Sequence, residues 1–114
     1  GYLADKDPIG AATVRAMLKG LVARHPGSSI ELAWNKPFLV RDGQRLFSVG
    51  VMSAHLLASP WSVEVLDAFR ATLEDEHELT VNRKTFRLPL DWTIDEPLLD
   101  AMVAAELAAQ PGSA

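Results

Sequence analysis

The stretch from Ile30 to Ser59, IELAWNKPFLVRDGQRLFSVGVMSAHLLAS, constrains the fold more than any other part of the chain. Ile30, Leu32 and Trp34 alternate with Glu31, Ala33 and Asn35, the two-residue period of a half-buried strand. Lys36-Pro37 interrupts that run. Proline has no N–H to give to a ladder, so Pro37 is expected to open a second strand. Phe38 and Val40 then share one face, with Leu39 and Arg41 on the other. Asp42-Gly43 suits the two left-handed positions of a type I′ hairpin turn. Beyond it, Phe47, Val49 and Val51 alternate with Leu46, Ser48 and Gly50 in a third strand. Met52 to Ala54 makes a second tight connection, and His55 to Ser59 returns as the fourth strand. Both faces of this meander carry apolar residues. The expectation is helices on one face and a partial cover, or a partner, on the other.

The flanking segments read as helices. Asp7-Pro8 pairs an N-cap with proline at the first helical position, and Val14, Met17, Leu18, Leu21 and Val22 form an apolar stripe behind it. Gly10 and Gly20 each cost that helix about 1 kcal/mol relative to alanine, so packing must hold it. Gly20, beside the stripe, is read as a point of close approach to a strand. His25-Pro26-Gly27 ends the helix. Ser62 caps a second helix whose stripe is Val65, Leu66, Phe69 and Leu73. The acidic run from Glu74 to Glu78 sits badly against a helix C-terminal dipole and is expected to be a loop or frayed turn. Thr85 to Leu88 reads as a fifth strand, after a short extended piece at Leu79 to Val81. Asp95 is the N-cap of a last helix, with Pro97 in its first turn and Leu98, Leu99, Met102, Val103 and Leu107 on its apolar face. The chain is thus expected to be one α+β domain over residues 1–114. An antiparallel sheet of about five strands, a meander plus one later strand, is covered by N-terminal, middle and C-terminal helices. Residues 1–6 and 110–114 read as flexible. Leu18, Leu21, Trp34, Phe47, Val49, Phe69 and Met102 are the expected core.

Composition narrows the chemistry. There is no cysteine, which excludes disulfides, thiolate metal sites and cysteine nucleophiles and suits a reducing cytoplasm. A net charge of −4 and a pI near 5.2 argue against a nucleic-acid surface. No apolar run reaches the ~20 residues a membrane helix needs, and no signal peptide is read. Gly1 reads as a cloning remnant, which leaves a leader open. The seven glycines are scattered, so no phosphate-cradling loop is present, and no GxSxG elbow supports serine catalysis.

Several residues carry two readings. His25 ends a helix, where a cation complements the dipole. His55 opens a strand, either as a histidine satisfied by hydrogen bonds or as a ligand or proton carrier. Glu74, Glu76, His77 and Glu78 are either a solvated charge run or a weak site for iron(II), manganese or magnesium, since hard oxygen ligands with one imidazole suit such ions. Arg83, Lys84, Arg87 and Lys36 form either an anion-binding edge or the cationic edge that blocks sheet-to-sheet aggregation. Trp34, Trp61 and Trp92 read as core or core rim, with Trp61 as a hydrophobic staple ahead of its helix.

The ordered set Trp34-Asn35-Lys36-Pro37-Phe38, Gly43, His55, Phe69 and then Arg83-Lys84-Thr85-Phe86-Arg87-Leu88-Pro89-Leu90-Asp91 resembles the YdhG-like family, domain of unknown function 1801. The resemblance spans nearly the whole chain. Departures are Arg83 for a usual lysine, Lys84 where the family tends to glycine, and Leu88 where it tends to phenylalanine. The resemblance implies a compact α+β domain of a usually bacterial and cytoplasmic kind, and it carries over no family-wide catalytic triad. Some members are described as frataxin-like iron chaperones. It also implies a shared pocket at Trp34, Pro37, His55 and Arg83, to which Arg87 is adjoined. Two functional readings follow: a non-enzymatic binding or carrier domain, with iron as a candidate cargo, and a small interaction or homodimerisation domain with no metal role.

Overall fold

The computed structural model describes residues 5–109. The flexibility read for residues 1–4 and 110–114 lies outside the described residues. Helix α1 (Pro8–Arg24) is followed by strands β1 (Ser28–Ala33), β2 (Lys36–Arg41), β3 (Gln44–Val51) and β4 (Leu56–Pro60). Helix α2 (Val63–Ala71), strand β5 (Phe86–Leu88) and helix α3 (Glu96–Ala109) complete the chain. The five strands form one antiparallel sheet in the order β1-β2-β3-β4-β5, an up-and-down meander with no crossover. The fold is therefore α+β, with a helix at each end and one in the middle.

Side-chain chemistry explains where the elements begin. The Asp7 carboxylate accepts hydrogen bonds from the Ile9 and Gly10 amides at 2.9 and 3.0 Å, and Pro8 supplies the first helical residue. Ser62 accepts from the Val65 amide and Asp95 from the Leu98 amide, so α2 and α3 also start at their expected caps. Asp42 and Gly43 both have positive φ and join Arg41 to Gln44 in a two-residue hairpin.

All three helices lie on one face of the sheet. Leu39, Phe47, Val49, Leu56, Ala58 and Phe86 point into that layer and are completely buried, against Val14, Leu21, Leu66, Leu99 and Met102 from the helices. Between Leu39 and Val40 the β2–β3 register slips by one residue, a bulge that leaves both Leu46 and Phe47 buried. Among the described residues no helix is long and apolar enough to cross a membrane.

Five expectations need correction. Trp34 is not the last residue of a strand. Ala33 pairs with Lys36, and Trp34-Asn35 form a second two-residue turn with φ of 48° and 58°. Trp34 is consequently 70% exposed instead of buried. Ile30 and Leu32 keep their alternation, but β1 is an edge strand at the margin of the helical layer, and Leu32 is 61% exposed. Phe69 packs against the core only in part. The acidic run is not a frayed loop: Thr72–Glu76 continues α2 as one π-helical turn, closed by the His77 amide donating to the Thr72 carbonyl. Finally, the glycine that permits close approach is Gly10. A Cβ there would stand 2.9 Å from both Leu90 and Val51, whereas one on Gly20 would meet only the movable Arg24 side chain.

Candidate functional site

The sheet face away from the helices carries Glu31, Phe38, Ser48 and Ser59 by alternation with buried neighbours. At one end of this face the Trp34-Asn35 turn leans toward Trp61, which directly follows β4. Their indoles are nearly parallel, at 14°, with ring centres 6.4 Å apart. Phe38 lies beneath both, edge-on, at 5.7 Å from Trp34 and 6.1 Å from Trp61. The Arg45 guanidinium stands 4.5 Å from the Trp34 ring centre, 5.4 Å from Phe38 and 5.5 Å from Trp61. Each is a favourable cation–π distance. Arg45 is also steered by Glu31, at 3.2 Å across the sheet. Trp61 is 48% exposed, so two large indoles are held at the surface by packing around one arginine.

Beside these rings is an open cleft of about 360 Å³. Trp34, Phe38 and Trp61 make its apolar wall. The Ser48 and Ser59 hydroxyls, 3.4 Å apart, lie at its floor. Lys36 and Lys84 supply charge, with the Lys36 ammonium 5.4 Å from the Phe38 ring centre. Lys84 is placed by a tight turn. The Asn82 amide donates to the Thr85 carbonyl at 2.7 Å, and Arg70 of α2 donates to the Asn82 carbonyl at 2.9 Å. Among the described residues no carboxylate lines the cleft.

The residues singled out in the sequence do not meet at one place. Trp34 is at the cleft. Pro37 is buried and, alternating with Phe38, belongs to the helix-facing side. His55 precedes β4 at the end opposite Trp61, roughly 20 Å along the strand at its usual rise. Among the described residues its ring makes no hydrogen bond or ion pair, and its carbonyl accepts from the Met52 amide. Arg83 is exposed in the turn before Lys84, where its carbonyl accepts from Arg70. Arg87 shares the outer sheet face, opposite Leu57, but does not line the cleft. Lys36 and Lys84, read earlier as edge cations, do line it. Trp61 gives its ring to Trp34 and Phe38 across the sheet.

The acidic run gathers no cage. His77 turns to Asp95, with Nε2 3.6 Å from Oδ2, beside a hollow bounded by Trp92, Ile94 and Pro97. Among the described residues no three His, Asp or Glu side chains converge into a group that could hold a metal ion.

Two polar clusters were not foreseen, and both are structural. Glu106 of α3 is 1% exposed and accepts from the Ser62 amide and hydroxyl, each at 3.0 Å, at the N-terminus of α2. Arg24 and His25, at the end of α1, bind Asp100 of α3. Arg24 Nε reaches both carboxylate oxygens at 2.8–2.9 Å and His25 Nε2 lies 3.0 Å from Oδ1, while Arg24 also pairs with Glu96. Burial pushes the Asp100 carboxyl up, but hydrogen bonds from Arg24 and His25 outweigh it and hold the group below its ordinary value of 3.8.

No family model matches the chain, and no curated protein does. A solved structure does: the crystal structure of YdhG, a protein of the domain-of-unknown-function 1801 family from Bacillus subtilis. The two superpose with a TM-score of 0.84 over 94% of this chain and 86% of that one, at 19% sequence identity. This is the family that the ordered motifs resemble, and the chain has its fold.

Proposed function

We propose that the protein is a non-enzymatic binding domain of the cytoplasm and that its binding surface is the cleft at Trp34 and Trp61. One observation carries this reading. Trp34 stays largely in water and Trp61 about half, yet both pack against each other, against Phe38 and around Arg45. Large exposed apolar groups rimmed by polar ones mark interaction sites more often than stability features. A carrier role for iron has less support, because Glu74, Glu76 and Glu78 do not join His77 in a cage and His55 is distant from the cleft. A homodimerisation or partner-docking role is the second reading, favoured by the exposed Leu32 on edge strand β1.

The test is a fragment screen followed by the indole and backbone N–H signals in NMR. Binding fragments are expected to shift the Trp34 and Trp61 indole signals and leave Trp92 in place. Fragments that bind while moving only His55, or only His77 and Trp92, would contradict the assignment.

A further inference from the structure

We propose that the cleft takes a small ligand made of one flat aromatic ring system and one anionic group, a carboxylate or a phosphate. This deepens the preceding reading and rests on it. The first argument is size. About 360 Å³ falls at the lower end of small-molecule sites, which start near roughly 300 Å³. The second is the wall. Two near-parallel, exposed indoles, backed by the buried Phe38 ring, offer flat faces on which a planar ring stacks. They are also pre-organised, since Trp34 sits in a left-handed hairpin turn and Arg45 packs against all three rings. Less ordering is then lost on binding.

The third argument is charge. The chain carries a net −4, yet among the described residues the only charged ones lining the cleft are Lys36 and Lys84. The Ser48–Ser59 hydroxyl pair at the floor, one donating to the other, leaves one O–H donor suited to an oxyanion. A cationic ligand would meet both lysines, and the cation–π positions around these rings are already served by Arg45 and Lys36. A neutral ring would use the wall and leave the lysines idle. A ring bearing an anion uses the wall, the lysines and the floor together.

The proposal is tested with a matched set of probes titrated into the intact protein by NMR: 2-naphthoate, 2-naphthyl phosphate, the neutral 2-naphthylmethanol, the cationic 2-naphthylmethylamine, and acetate as an anion without a ring. One or both of the anionic ring probes should bind at least threefold tighter than the alcohol, with the amine and acetate weakest. Whichever anion is tighter identifies the carboxylate or the phosphate as the better source of charge. In the Lys36→Gln Lys84→Gln variant that preference should fall about two- to fivefold per lysine, while the alcohol keeps its affinity. Trp34→Ala should weaken every ring probe about tenfold. The same spectra report whether each variant is folded. If all three ring classes shift the cleft residues equally, the charge selectivity is overturned while the cleft remains a binding surface. If no probe moves Trp34 or Trp61, the binding reading itself fails. Shifts at Trp34 that depend on protein concentration without any probe would assign the cleft to a second copy of the chain and overturn the ligand proposal.

Discussion

On the helix side of the sheet, Leu39, Phe47, Val49, Leu56 and Phe86 are wholly removed from water; on the other side, Trp34 and Trp61 keep 70% and 48% of their surface. The first set is held by area. Each fully buried side chain contributes about 1.5–3 kcal/mol, and helices from both ends of the chain supply the cover. The second set is held by geometry: ring on ring, and one guanidinium among three rings. Such contacts are individually small, about 0.5–1.5 kcal/mol for an aromatic pair. The same aromatic chemistry is therefore buried where Phe47 meets Phe86 and kept at the surface where Trp34 meets Trp61.

That contrast can be broken first at the core. Leu21→Ala should lower unfolding free energy by about 2–5 kcal/mol in denaturant melts, because the side chain is completely buried in the core cluster. A loss under about 1 kcal/mol would mean that the helical layer does not carry the fold. Gly10→Ala should cost about 1–3 kcal/mol by overpacking, since its methyl group would press on Leu90 and Val51. An unchanged melt would show that α1 can lift from β3 freely. Glu106→Ala should cost about 1–3 kcal/mol, because Ser62 loses its carboxylate acceptor at the partly buried start of α2.

The helix side was largely legible in the sequence. Asp7-Pro8, Ser62 and Asp95 announce the caps, Asp42-Gly43 the central hairpin, and the period of the apolar stripes the buried face. The outer side was not. Alternation ran through Trp34 as if it closed a strand, although Asn35 beside it favours the left-handed conformation that both residues adopt. Arg45 looks like any residue after a hairpin turn. Its role arises only when β1, β2 and the end of β4 bring three rings around it. His55 drew attention as a titratable residue on an apolar strand, but position along β4 decides proximity, and it stands at the far end from Trp61. Glu106 reads as an ordinary polar helix residue until α2 docks on it.

A smaller effect tests the joint between α1 and α3. The native Asp100 carboxyl titrates below its unfolded value of 3.8, so its contribution is complete above that value and fades as pH falls through the lowered native one. Asp100→Asn should destabilise the protein at neutral pH and flatten the dependence of stability on pH below about 3.8. An unaltered acid limb would assign that limb to other carboxylates.

The smallest expected effect is the most direct test of the division between the two faces. Trp34→Ala removes the most exposed indole of the cluster, and its equilibrium unfolding free energy should stay within about 1 kcal/mol of the unsubstituted protein. A loss above about 2 kcal/mol, in the range of the Leu21→Ala truncation, would make the tryptophan cluster part of the core and contradict its assignment to binding.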